Sequence, residues 1–176
     1  MATAALPFAQ LANECEAEGL SPKNAERLGK ELAKVFKVKE DEVGVLRIEK
    51  QNLVFVYPVK LHNVGSIPLN TSTSIAVRTA NSKRAEVINN FAQTKHTSIF
   101  EAVQLGGSNP SGGTPDPHIN IIQKLMSAPV VGPNGTLGVI QISWKGTSAP
   151  ASGPDFMPAD LQKLVAAAST LAKIFK

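Results

Sequence analysis

At 176 residues with 43% hydrophobic and 18% charged content, the chain reads as a folded soluble protein, most simply one domain with a substantial core. Aromatic residues make up 5%, so that core rests on Val, Ile, Leu and Ala. The net charge of +4 is modest and its cations are dispersed (Lys23, Arg27, Lys30, Lys34, Lys37, Lys39), which excludes the dense basic, aromatic-interleaved surface that nucleic acid requires.

In chain order, Leu6–Glu18 reads as a short helix ending at Gly19. Ser21-Pro22 supplies an N-cap and a first-turn proline, and Ala25, Leu28, Leu32, Val35 and Phe36 recur at helical spacing, which predicts a helix over Pro22–Phe36. Val43–Glu49 and Leu53–Tyr57 are rich in β-branched and aromatic residues, and Lys50-Gln51-Asn52 between them predicts a hairpin. Leu61–Asn70 contains Gly65 and Pro68 and reads as loop. A short helix over Ile75–Ala80 is capped from Thr71–Ser74 and closed by Asn81 in a left-handed conformation. Glu86–Asn90 is a short strand, and Lys95–Val103 a further helix. Gly106–Pro117 holds too many glycines and prolines for regular structure and reads as a mobile loop. Leu125–Val131 and Thr136–Trp144 flank the turn Gly132-Pro133-Asn134-Gly135, and Phe156–Phe175 forms one amphipathic helix after the Gly146–Pro154 loop.

Strand alternation along Leu137–Trp144 puts Gly138, Ile140, Ile142 and Trp144 on one face, suited to lie under a helix. Leu137, Val139, Gln141 and Ser143 take the other face, where an amide and a hydroxyl in a central strand need partners. The last helix presents Leu161, Leu164, Val165, Ala168, Leu171, Ala172 and Phe175 as one apolar stripe, wide enough to cover a sheet and still touch a second copy.

The single Cys15 rules out an intramolecular disulfide and fits a reducing compartment. Met1–Leu11 has no basic start and Pro7 interrupts it, so it does not read as a secretory signal. No run approaches the ~18 apolar residues of a membrane span. The expected location is cytoplasmic. His62, His96 and His118 are scattered without ligand spacing, so no metal site is expected. Gly106-Gly107-Ser108-Asn109-Pro110 lacks the closing glycine and preceding strand of a nucleophile elbow, and matches no phosphate-binding spacing.

From about Pro22 to Phe175 this order of elements resembles the GAF family. Ser74–Asn90 is similar to the family's short helix, tight turn and strand ending in Asn or Asp. Ala128–Val131 with Gly135–Ile140 is similar to its penultimate strand, turn and final strand. Phe156, Asp160, Leu161, Leu164, Ala168, Leu171 and Ala172 are similar to its closing helix. The resemblance implies an α+β, PAS-related fold. Its twisted antiparallel sheet carries the terminal helices on one face, with short helices and loops forming a ligand-sized pocket on the other. It divides the chain into an N-terminal helical extension (1–20) and the domain proper (21–176). Two departures stand out: Val77 replaces the family's usual glycine in the short helix, and Asn81-Ser82 displaces the glycine at its end.

The family's methionine sulfoxide reductases and bilin-attaching members need pocket cysteines, whereas Cys15 precedes the domain. The cyclic-nucleotide-binding pattern Asn-Lys…Phe…Asp-Glu is not matched by Asn89 and Phe91. No catalytic residue and no cofactor is therefore expected, and the chain is read as a non-enzyme. What remains is a non-covalent small-molecule pocket, with Phe55, Tyr57, Asn89, His96, Phe100, Ser127, Gln141 and Ser143 as candidate lining. Simpler roles stand beside these. Tyr57 before Pro58 suits a strand end, Asn89-Asn90 suits turn backbone, His96 suits a cap, and Gln141 suits pairing with a neighbouring side chain. Two functions follow. One is a sensory or regulatory domain that binds an unidentified small molecule and signals through its terminal helices. The other is a ligand-free module of the same fold for dimerisation or docking. In either, the apolar helices point to a homodimer.

Overall fold

The computed structural model describes residues 5–62, 66–71, 74–91, 121–146 and 148–175. Two helices come first, α1 (Ala5–Cys15) and α2 (Pro22–Phe36). The hairpin β1 (Val43–Glu49) and β2 (Asn52–Tyr57) follows, then β3 (Ser66–Pro68), α3 (Ile75–Ser82) and β4 (Glu86–Ile88). The long hairpin β5 (Ile121–Gly132) and β6 (Gly135–Gly146) leads through one helical turn, α4 (Ala149–Ser152), into the terminal helix α5 (Pro158–Leu171). Among the described residues the strands form a six-stranded sheet in the order β3-β2-β1-β6-β5-β4, antiparallel throughout.

Local signals explain most boundaries. Ser21 Oγ accepts from Asn24 N at 3.3 Å at the start of α2, and Lys37 closes that helix in the left-handed region. Lys50 and Gln51 both take positive φ (51° and 65°), the conformation of a two-residue turn that matches strand twist. Ser74 Oγ caps α3 through Val77 N at 3.3 Å. Lys83, not Asn81, closes this helix, and Asn81 instead donates from Nδ2 to Leu69 O at 2.8 Å. The expected loop at 61–70 contains β3, recruited by pairing with β2. The strand expected over Glu86–Asn90 stops at Ile88, and β5 and β6 both run further than their apolar cores suggested. The terminal helix starts at Pro158 rather than Phe156, and gives way to a 3₁₀ turn, Ala172–Ile174. The expected helix Lys95–Val103 and loop Gly106–Pro117 lie outside the described residues.

Each sheet face has its own core. On one, α1, α2 and α5 bury Phe8, Leu28, Leu32, Leu164 and Leu171 against Val43, Val45, Met126, Ile140 and Ile142. Burying such a side chain is worth about 1.5–3 kcal/mol apiece relative to exposure, so this layer is the main apolar source of stability. On the other face, Ile75, Ala76, Val77 and Ala80 of α3 pack with Leu46, Leu53, Phe55, Leu125 and Val139. Residues 1–20, expected as an extension, include α1, whose Phe8, Leu11, Ala12 and Cys15 belong to the same core as α2 and α5.

Two register shifts break simple alternation. Val45 pairs with Tyr57 while Leu46 pairs with Phe55, so Val56 is a bulge. Val130 pairs with Gly138 while Val131 pairs with Thr136, leaving Leu137 as the extra residue of the second. Ile140, Ile142 and Trp144 face the terminal helices as expected, but Leu137 joins them, because its bulge turns it to that side.

A buried polar row under the short helix

The face away from the terminal helices carries a polar row inside its apolar core. Ser127 on β5 and Gln141 on β6 are cross-strand partners, and Thr79 hangs above them from α3. Thr79 Oγ donates to Ile75 O at 2.9 Å, the back-bond a helical threonine makes one turn earlier. Its only proton is then committed, so in the 2.7 Å contact between Thr79 and Ser127 the Ser127 hydroxyl donates. Gln141 Nε2 in turn donates to Ser127 Oγ at 3.3 Å. The row therefore runs one way, amide to hydroxyl to hydroxyl to carbonyl. Left over are the second N–H and the carbonyl oxygen of Gln141, for which the described residues supply no hydrogen-bond partner, on a residue only 4% exposed. A buried amide group wants those contacts, since leaving one unmade costs about 1–3 kcal/mol.

The other candidates separate. Phe55 is buried on this same face, packed with Leu46 and Val139. Ser143 is also buried, its Oγ donating to Glu42 O at 3.1 Å, which ties β6 to the 3₁₀ turn Glu40–Glu42. Tyr57 lies apart from them: the Val56 bulge rotates it to the opposite face, where its ring lies under Gly29 of α2. Burial, with smaller contributions from Glu40, Glu26 and Asp41, pushes its hydroxyl up to about 12. Asn89 bonds backbone with both ends of its amide. Nδ2 donates to Phe156 O at 3.1 Å and Oδ1 accepts from Phe156 N at 2.9 Å. His96 and Phe100 lie outside the described residues.

Thr79 was missed in sequence, although its place one turn after Ile75 on the apolar stripe of α3 marks it as an inward hydroxyl. Glu42 was missed as well. It is buried, with Oε1 accepting from Lys39 N at 2.9 Å and Oε2 from Lys145 N at 2.6 Å. A cleft of about 470 Å³ lies beside it, lined by Lys37, Lys39, Trp144 and Lys145, at the end of α2 and away from the polar row. Among the described residues no group of His, Cys, Asp or Glu is placed to hold a metal ion, and no helix is long and apolar enough to cross a membrane.

No family model matches the sequence, and no curated protein matches it. Solved structures do. The GAF domain of an Acinetobacter phosphoenolpyruvate-protein phosphotransferase is similar over 99% of this chain and 94% of its own, with a TM-score of 0.65 at 15% identity. The GAF domain of a Bacillus halodurans two-component sensor histidine kinase is similar over 89% and 94%, with a TM-score of 0.58 at 16% identity. A Coxiella burnetii phosphoenolpyruvate-protein phosphotransferase GAF domain gives 0.59 over 96% and 92%, at 10% identity. An antiparallel six-stranded sheet with terminal helices on one face and a short helix on the other, matched to these domains along nearly its whole length, makes this chain a GAF-fold domain.

Proposed function

We propose that this chain is a sensory or regulatory domain. It binds a small polar molecule non-covalently beside the Thr79–Ser127–Gln141 row and passes the change to its terminal helices. The observation that carries the reading is the one-way hydrogen-bond row, which leaves an acceptor and a donor of buried Gln141 without partners among the described residues. Ligand sites characteristically pair an apolar wall with a few placed polar groups, and Phe55, Leu125 and Val139 supply such a wall here. The similar structures named for a phosphotransferase and a sensor histidine kinase support a regulatory role. We assign no catalysis and no cofactor, a cytoplasmic setting, and a homodimer through the terminal helices.

The test is native mass spectrometry of the purified chain, followed by calorimetry with whatever polar molecule co-purifies. Gln141→Leu replaces the amide with an apolar group of similar size. It should abolish that binding while leaving the fold intact. Binding unchanged in the variant would move the site elsewhere.

A ligand-free interaction module of the same fold is the second reading. It is favoured by the full burial of Leu46, Phe55, Leu125 and Val139 beneath α3, which fills this face with side chains. A chain that carries no molecule, binds none, and still dimerises would decide for it.

A further inference from the structure

The junction between α4 and α5 is fastened to the sheet in an unusual way. Gly153 and Asp155 are held by Lys124 of β5, whose Nζ donates to Gly153 O at 2.7 Å and pairs with Asp155 Oδ1 at 2.8 Å. Phe156 is held by Asn89, which follows β4 directly and grips the backbone N–H and C=O of that residue together. Both fasteners spring from one place, since β4 pairs with β5 at Ile88 opposite Leu125. These two side chains bond the backbone of Gly153 and Phe156 directly to the β4–β5 side of the sheet.

The junction covers a specific surface. Phe156 stacks on Trp144 with ring centroids 6.0 Å apart and planes 17° from parallel. Gly153 lies flat against the same indole, so close that a Cβ there would sit 2.6 Å from Trp144 Cδ2. Its φ of +148° is likewise one that favours glycine. Beyond the junction, the remainder of α5 is pinned by apolar burial at Leu164, Ala167, Ala168 and Leu171. The start of the helix is therefore held by two polar fasteners and a single buried ring, Phe156, and the rest by a continuous aliphatic layer.

Those two kinds of attachment differ in how they release. The Lys124 side chain is 6% exposed, whereas Asp155 is 63% exposed and already largely hydrated. Opening the junction exposes the one Phe156 ring and returns an ammonium and an amide to water, which replaces their hydrogen bonds. Opening the Leu164–Leu171 layer would expose aliphatic core with no such compensation.

We propose that Asn89 and Lys124 form a latch on the Gly153–Met157 junction, which opens as a unit and frees the start of α5 without unfolding the sheet. This device does not depend on the small-molecule reading. If that reading holds, β5 carries Ser127 on one face and Lys124 on the other, so the two sites share a strand.

The chain contains a single tryptophan, which makes the latch directly observable. In the full chain, Asn89→Ala combined with Lys124→Met should shift Trp144 emission to the red and raise its quenching by acrylamide about twofold. Amides over 160–162 should exchange about tenfold faster, while 43–47 and 138–142 keep their protection. Wild-type emission and exchange in the double variant would overturn the proposal, and so would loss of sheet protection together with α5. Native-state exchange of the wild type provides the second measurement. The 160–162 amides should open in a sub-global event below the denaturant range where β6 opens, and exchange only together with β6 would refute a separate latch.

Discussion

Gly29 sits in the middle of α2, where sequence propensity alone argues for replacement. Alanine is the better helix former by about 0.8–1 kcal/mol, so Gly29→Ala in a solvated helix would stabilise the chain. The structure reverses the sign. A Cβ at this position would meet the Tyr57 ring at 2.3 Å from Cε2 and 2.4 Å from Cδ2 and Cζ, more than an ångström inside ordinary contact. The ring cannot swing away freely, because Tyr57 is buried on the helix side with Val45 as its cross-strand partner. Overpacking of this kind costs about 1–3 kcal/mol, and more where the neighbour is rigid. After the helical gain is subtracted, Gly29→Ala should destabilise by up to about 2 kcal/mol, towards the upper end because the ring is buried, and lower Tm by up to about 8 °C. Urea and thermal unfolding followed by circular dichroism would measure it. In a Tyr57→Leu background the same substitution should become neutral or stabilising, a coupling that a double-mutant cycle isolates. A Gly29→Ala variant as stable as wild type, with no coupling to position 57, would refute the close approach of α2 to the sheet.

Ile140 is fully buried against the terminal helices, so Ile140→Asp places an unpaired carboxylate in the core. It should unfold the domain, since that cost of several kcal/mol is comparable with a whole stability of about 5–15 kcal/mol; a soluble variant melting near wild type would reassign the strand face. Tyr57 is the chain's single tyrosine, and its native hydroxyl lies up at about 12 because burial disfavours the anion. In the unfolded chain it ionises near the ordinary value of about 10, so this contribution is complete below that pH and is lost as pH rises towards 12. Ultraviolet titration should therefore show tyrosinate only as the fold yields, and ionisation near the ordinary value with the fold intact would contradict burial. Val165 is 44% exposed on the outer side of α5, and Val165→Asp should convert a homodimer to monomer without loss of helicity. Light scattering would read this, and a wild-type monomer at high micromolar concentration would remove the dimer itself.

Much of this architecture was legible in one dimension because it depends on short-range rules. The α2 stripe with its Ser21-Pro22 start, the Lys50-Gln51 turn, and the β5–β6 hairpin ahead of an amphipathic helix are each specified by neighbouring residues. So is the inward pair Ile140 and Ile142, since alternation holds wherever a strand is regular. The polar row was half legible. Gln141 and Ser127 announce themselves as polar groups in buried strands, but only the packing of α3 shows that Thr79 completes the row and fixes its direction. Tyr57 and Leu137 went to the unexpected face because each adjoins or forms a bulge. A bulge is a mismatch between two strands, invisible in either one alone. Asn89 looked like a turn or pocket residue because its partner, Phe156, lies far along the chain. The same distance hid the Lys124–Asp155 pair and the burial of α1 in the common core. Local sequence determined which elements form and which way regular strands face. Only the tertiary fold decided which polar groups meet, because those contacts exist only once distant segments have been brought together.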